Sequence, residues 1–297
     1  YVIYTLHPKM KYIDMYLRRG TYRFQYLAAL VSGFRFPRFE NIANLARLYR
    51  EKKFWQILRF RTMKSCAREV LKNSAGAVVS CEREARQLAI DYYTEVRHTV
   101  IPHYFDSRYT ALKSVTQGVD EPFIICAGRI EPRKNQLAVI ALAERFPSVK
   151  FLFVGRKNDN HPKYIRAFEE ALERLPNIVW KKQVTLVDLK RLVDDASIYV
   201  NISWFEVFSL IDLMALTAGT RSVLTAGSYM SDEPEFSSRT DLLSFVNPDD
   251  LDAAAARIAA FLDGGREAPP APLDIDWSAG AVQGKWLDLI GRTVRAA

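Results

Sequence analysis

From Phe123 onward the chain alternates between short apolar runs and longer segments whose apolar residues recur every three or four positions. The runs Phe123 to Cys126, Phe151 to Val154, Ile198 to Ile202 and Ser222 to Leu224 have strand length, and the first two are followed closely by glycine. Between and after them, Gln136 to Phe146, Lys163 to Leu175, Leu186 to Asp195 and Phe208 to Thr217 carry the helical spacing. Continuous apolar runs mark strands covered on both faces, and strand–helix alternation is the pattern of a parallel, doubly wound sheet. The second part of the chain is therefore expected to be a Rossmann-like α/β domain. At 297 residues there is room for another domain before it.

In that first part, Tyr1 to Leu6 is rich in β-formers and ends at His7-Pro8, as a buried strand running into a loop would. Ile42, Leu45, Leu48 and Tyr49, then Trp55, Leu58 and Phe60, fall at helical spacing among Arg and Lys within 39–71. Ala75 to Ser80 is a short strand, Glu82 to Tyr92 a helix and Thr99 to Ile101 another strand. Asp106 to Glu121 has little periodicity and contains Gln-Gly-Val-Asp-Glu, so it is taken as a linker. The expected division is an incomplete N-terminal domain at 1–115, a C-terminal domain at 116–277 and a closing helix at 278–297.

Residues 1–73 hold 16 Lys and Arg against 4 Asp and Glu, a balance of +12 in a chain whose net charge is +8. An acidic partner would meet this end first. Phe34, Phe36, Phe39, Phe54, Trp55 and Phe60 are interleaved with these cations, a mixture suited to peripheral contact with an anionic membrane or, more plainly, to a core with a solvated face. The most apolar stretch, Leu27 to Phe36, is far short of the ~18 residues a spanning helix needs. No nucleic-acid module accompanies the charge, and a nucleic-acid partner is not expected. Cys66, Cys81 and Cys126 are odd in number and widely spaced, which fits a reducing cytoplasm better than a disulfide framework. The four histidines form no ligand-spaced pair, so no metal and no cofactor is expected.

Two stretches carry chemistry. Gly128-Arg129-Ile130-Glu131-Pro132-Arg133-Lys134 follows the first strand of the second domain, where open α/β sheets bind ligands and cations can hold an anion. Ser203 to Leu210 follows the strand Ile198 to Ile202 and brings Glu206 to the start of the next helix, either as a cap or as a ligand-holding carboxylate.

Taken in order, these blocks resemble glycosyltransferase family 4, a group of retaining enzymes with the GT-B fold. GRIEPRKNQ, VKFLFVGR, DLKRLVDDASIYVNIS, EVFSLIDLMALTAGTRSV and the terminal DIDWSAGAVQGKWLDLI are similar to successive family blocks, and GAVVSCEREARQL and VIPHYFD resemble blocks of the family's first domain. The resemblance spans roughly residues 75–295. It implies an α/β protein with two Rossmann-like domains facing a cleft, and transfer of a sugar from a nucleotide-diphosphate sugar to a glycan or lipid-linked acceptor without a metal. By position, Arg129 and Lys134 would grip the donor diphosphate, and Glu206 would hold sugar hydroxyls. Val207, Phe208, Ser209 and Leu210 would offer backbone N–H groups, Val184 would lie near the base, and His7 would face the donor sugar.

The chain departs from the family in places. A second Glu, eight positions after the first, contacts the nucleotide ribose in the family; here that position is Met214. Asp212 lies two residues earlier, ~200° around the helix, and is no simple substitute. Arg221 stands where proline is usual, and the family's N-terminal glycine-rich loop is not in the sequence. Such departures also fit a weakened GT-B-like subunit that binds a partner.

Overall fold

The structure is a computed structural model that describes residues 2–4, 50, 63–102, 122–264, 270–274 and 279–295. His7, the expected linker and most of the basic, aromatic segment lie outside the described residues. The chain divides into two compact units, Tyr1–Ile101 with Gly291–Ala297, and Pro102–Ile290. The boundary expected at 115/116 also falls outside the described residues.

The first unit carries a parallel sheet in the order β1 (Val2–Tyr4), β2 (Gly76–Val79), β3 (His98–Val100). Helices α1 (Met63–Asn73) and α2 (Glu82–Tyr92) flank β2 in sequence. Ala85 and Leu88 of α2 pack on Val79 in a small buried cluster. Glu84 fixes the start of α2, because its Oε2 accepts from the Ser80 N–H at 2.7 Å and the Ser80 hydroxyl at 2.8 Å. These contacts tie Ser80, the residue before the Cys81 cap, back to the first turn of the helix.

The second unit is built on a six-stranded, all-parallel sheet in the order β6-β5-β4-β7-β8-β9. Its strands are β4 (Phe123–Ala127), β5 (Lys150–Val154), β6 (Ile178–Lys181), β7 (Ile198–Asn201), β8 (Arg221–Thr225) and β9 (Leu243–Val246). Helices α3 (Gln136–Arg145), α4 (Pro162–Arg174), α5 (Leu186–Asp195), α6 (Leu210–Ala218) and α7 (Leu251–Asp263) alternate with them, and α8 (Ala279–Arg295) closes the chain. Ile124, Phe151, Phe153 and Val200 of the strands are buried with Leu142 of α3, Phe168 of α4 and Ile258 of α7 in one core. That continuous burial explains why the strands are runs of apolar residues rather than alternations.

Two strands, β6 and β9, were not marked by the apolar runs. Each has only four residues, with Trp180 and Lys181 diluting the first and Ser244 the second. Helix α6 begins at Leu210, two residues later than expected, because Ser209 is its cap: the Ser209 hydroxyl accepts from the Asp212 N–H at 3.3 Å. Glu206 is therefore not the cap of this helix.

Candidate donor site at the sheet switch point

Strand order reverses between β4 and β7, which lead to opposite edges of the sheet. A crevice opens at such a reversal, beyond the carboxyl ends of the two strands. The two stretches singled out in the sequence are the loops that leave these two strands.

Backbone geometry brings the loops together. Gly128 and Gly155 both have positive φ, 149° and 147°, a region that side chains disfavour. A methyl on Gly155 would stand 2.1 Å from the Gly128 carbonyl oxygen, so the two strand ends approach as closely as they do only because residue 155 is glycine. Pro132–Lys134 then forms a 3-10 turn, and Asn135 follows in the left-handed region with φ 57°. The Asn135 Nδ2 donates to the Ile202 carbonyl at 3.0 Å, and the Trp204 N–H donates to the Arg133 carbonyl at 2.9 Å. The loop after β4 is thereby stitched to the loop after β7.

Glu206 lies in the seam. It is 7% exposed, and its Oε1 receives the Lys134 ammonium at 2.6 Å. Arg133 Nη1 lies 3.2 Å from both carboxylate oxygens, and Ser203 is a further side-chain partner. Burial pushes this carboxyl up, yet the nearby charges of Lys134 and Arg133 and the hydrogen bonds of Lys134 and Ser203 outweigh it and hold the group below the usual carboxylate range. Arg133 also reaches back to Glu131, with Nε 3.3 Å from Oε1, and Asn158 Nδ2 donates to the other Glu131 oxygen at 2.9 Å. An alternating row, Glu131–Arg133–Glu206–Lys134, results.

Beneath Glu206 lies a second buried carboxyl. Asp212 on α6 is fully buried, and its Oδ1 accepts from the Tyr199 hydroxyl at 2.8 Å and from Asn201 Nδ2 at 2.7 Å. Its Oδ2 has no hydrogen-bond partner among the described residues. Burial first, then the charge of Glu206, raise the Asp212 carboxyl to about 6, against the opposing pull of Asn201, Lys134 and Ser209.

The structure thus joins Lys134 to Glu206 directly and places Val207, Phe208 and Ser209, all buried, beside them. Leu210 is 47% exposed at the start of α6. Arg129 is set apart: its side chain is 65% exposed, with Nη2 3.5 Å from Glu131 Oε1. Val184 is half-buried in the loop between β6 and α5, and Met214 is 3% exposed inside α6. Sequence pattern alone does not single out Arg133 or Asp212 as site residues. A cation beside Lys134 carried no separate signal, whereas a carboxylate inside the apolar stretch of α6 did. Among the described residues, no group of three or more His, Cys, Asp or Glu could hold a metal ion.

The family model described as glycosyl transferases group 1 matches residues 110–270, more than half of the chain. The chain belongs to the glycosyl transferases group 1 family. Solved structures agree on the fold. Sucrose-phosphate synthase from Thermosynechococcus elongatus superposes with a TM-score of 0.66 at 19% identity, over 79% of this chain and 62% of its own. Anabaena HepE in complex with UDP gives 0.62 at 15% identity, over 80% and 69%, and HepE in complex with UDP-glucose gives 0.60 at 15%, over 79% and 68%. The chain thus spans less than two thirds of the first of these proteins, and no curated protein is significantly similar in sequence. The expected GT-B fold with parallel sheets is the fold observed. No helix among the described residues is long and apolar enough to cross a membrane.

Proposed function

We propose that the protein is a retaining glycosyltransferase that moves a sugar from a nucleotide-diphosphate donor to a glycan or lipid-linked acceptor. The observation that carries the reading is the buried Glu206, held between Lys134 and Arg133 at the reversal of strand order in a chain of this family. Breaking the bond between the anomeric carbon and the diphosphate leaves negative charge on the departing phosphate and positive charge on the sugar ring. Preorganised cations stabilise the first, and a loss of one such contact typically costs about 3 kcal/mol, on the order of a hundredfold in rate.

Arg129 and Lys134 are assigned to the diphosphate, with Arg129 exposed and able to swing inward. Lys134 can reach a phosphate only by loosening its hold on Glu206, which Arg133 and Ser203 would continue to orient. The released carboxylate then faces the sugar, where it holds hydroxyls and offsets ring charge. Cations in these positions supply what a divalent metal supplies elsewhere, so transfer is expected to survive a chelator.

Glu206→Gln tests the assignment. The amide keeps the shape, so the expected result is a folded protein that binds donor and has lost about 99% of its transfer rate. Activity within twofold of wild type would show that Glu206 does not act on the donor sugar. A weakened, partner-binding subunit is the second reading, favoured by Met214 in place of the ribose-binding Glu. It predicts donor turnover absent from the unmodified protein as well.

The basic, aromatic 1–73 segment supports an acceptor at the inner face of a membrane, reached by peripheral docking from the cytoplasm. Co-sedimentation with vesicles should rise with anionic lipid and fall with salt. A protein that stays in the supernatant at every composition and low salt points to a soluble acceptor instead.

A further inference from the structure

The hydrogen bonds beneath the donor site form a continuous chain. The Tyr199 hydroxyl donates to Asp212 Oδ1, Asn201 Nδ2 donates to the same oxygen, and the Ser203 hydroxyl donates to Asn201 Oδ1. Ser203 also bonds the Glu206 side chain, which in turn carries Lys134 and Arg133. A hydroxyl has one hydrogen to give, so Ser203 serves either Asn201 or Glu206 at a given moment. What happens at Asp212 is therefore relayed through Asn201 to the carboxylate of the donor site.

Asp212 is an unusual group to find at the end of such a chain. It is fully buried, and one of its oxygens has no partner among the described residues. A carboxylate leaves that oxygen short of a donor, whereas a protonated carboxyl carries an O–H there, which the neighbouring Ser209 hydroxyl, already acting on this group, can accept. Its surroundings do not neutralise it. Tyr199 of β7 and Cys126 of β4 are buried groups whose ionisation is suppressed, the first pushed well above its ordinary value and the second to about 12, so both stay neutral. Glu206 of the following loop is negative, and Lys134 of the 3-10 turn is committed to Glu206. Lys190 and Asp194 of α5 pair with each other, and Arg221 of β8 donates to the Gly264 carbonyl at 3.1 Å. Two buried acids thus compete for the cations of one site.

We propose that donor binding is linked to protonation of Asp212, which makes this residue an electrostatic positioning residue whose charge sets how readily Lys134 leaves Glu206 for a diphosphate. This rests on the donor reading given above. With Asp212 ionised, the site holds two buried carboxylates for its cations, and a third anion is disfavoured. With Asp212 protonated, one negative charge is gone and Lys134 is more easily shared with phosphate. The linkage is reciprocal, so a bound diphosphate draws a proton from solvent onto Asp212.

Calorimetry with UDP-glucose between pH 5 and pH 8 tests the linkage, because the diphosphodiester of this probe does not titrate in that window. Affinity should weaken by about tenfold from pH 5 to pH 8, the change expected if bound donor makes Asp212 ten times easier to protonate. Titrations in buffers of different ionisation enthalpy should show proton uptake at pH 6 to 7. In Asp212→Asn, which preserves both bonds to Oδ1, the uptake should vanish and affinity should stay at the acidic wild-type value throughout. Tyr199→Phe removes a donor to the carboxylate and should move the midpoint to higher pH, a displacement that a purely structural role would not produce. Equal affinity at pH 5 and pH 8 without proton uptake, or a pH dependence that survives in Asp212→Asn, overturns the linkage while leaving the donor reading intact. A protein that binds neither UDP-glucose nor any other nucleotide-diphosphate sugar at any pH overturns the donor reading, and the linkage with it.

Discussion

The loop that follows β7 and the inner face of the helix it opens each bury one carboxylate, six residues apart, and treat it in opposite ways. In the loop, Glu206 meets two cations and is held below the usual range. On the helix face, Asp212 meets a phenol and an amide, and burial carries it to about 6. Burial acts on both in the same direction, so the difference lies in the partners. Neutral hydrogen-bond donors ease the confinement of a charge, whereas cations reverse its effect.

The contrast can be broken from the loop side first, where the effect is largest. Lys134→Ala strips Glu206 of its shortest contact and leaves a buried carboxylate with Arg133 as the one cation that contacts it among the described residues, beside the neutral Ser203 hydroxyl. A stability loss of about 4 kcal/mol at pH 7 is expected, measured by urea unfolding. The loss should shrink on acidification, because a carboxyl held below its unfolded value contributes stability above that value and loses it as the pH falls through the folded one. An effect under 1 kcal/mol at pH 7 would mean that Arg133 suffices and the two regions differ less than the geometry implies.

From the helix side the sign is opposite. The folded value of Asp212 lies above the unfolded value of about 3.9, so this group's contribution is fully present below the unfolded value and lost as pH rises through about 6. Asp212→Asn cannot ionise and should be more stable than wild type by about 3 kcal/mol at pH 8, with the gain gone at pH 4. Thermal unfolding across this range measures the difference. A variant equally stable, or less stable, at pH 8 would show that the buried carboxylate is better satisfied than its neighbours suggest.

The smallest effect falls between the two. Ser203→Ala removes the one hydroxyl hydrogen that Asn201 and Glu206 share, and a loss of about 1 kcal/mol at pH 7 is expected in the same denaturant titration. The titration of Glu206, followed by carboxyl NMR, should move upward. No movement would separate the two regions and cut the relay at this residue.

Much of this site is legible in the sequence. Gly128, Lys134 and Glu206 stand in two loops that leave apolar strands, and parallel-sheet topology requires such loops to gather at one edge. Local pattern could not reveal which cation would meet Glu206. Arg129 and Arg133 lie four residues apart, the second inside the turn Pro132–Lys134 and the first before it, and only the fold exposes the first while burying the second. Helical spacing that starts at Phe208 places Ser209 inside the helix, so it does not reveal Ser209 as the cap. Asp212 stood out as a polar residue away from the Met214 position, but its partners Tyr199 and Asn201 come from β7, eleven and more residues away, where no periodicity connects them. Strands β6 and β9 were missed for a plainer reason, since four residues with a polar member carry too little pattern.

Asn135 ties the turn after β4 to the Ile202 carbonyl, and two residues earlier the Arg133 carbonyl is held by the Trp204 amide. Between Ala127 and Asn135 the chain therefore has a fixed length to cover. Over evolutionary time the exposed position of such a segment, Arg129, can change its side chain and so retune the ligand it accepts, but an added or deleted residue would pull both ties out of register. Relatives that keep this pair of ties should vary in the spelling of the turn and hardly at all in its length.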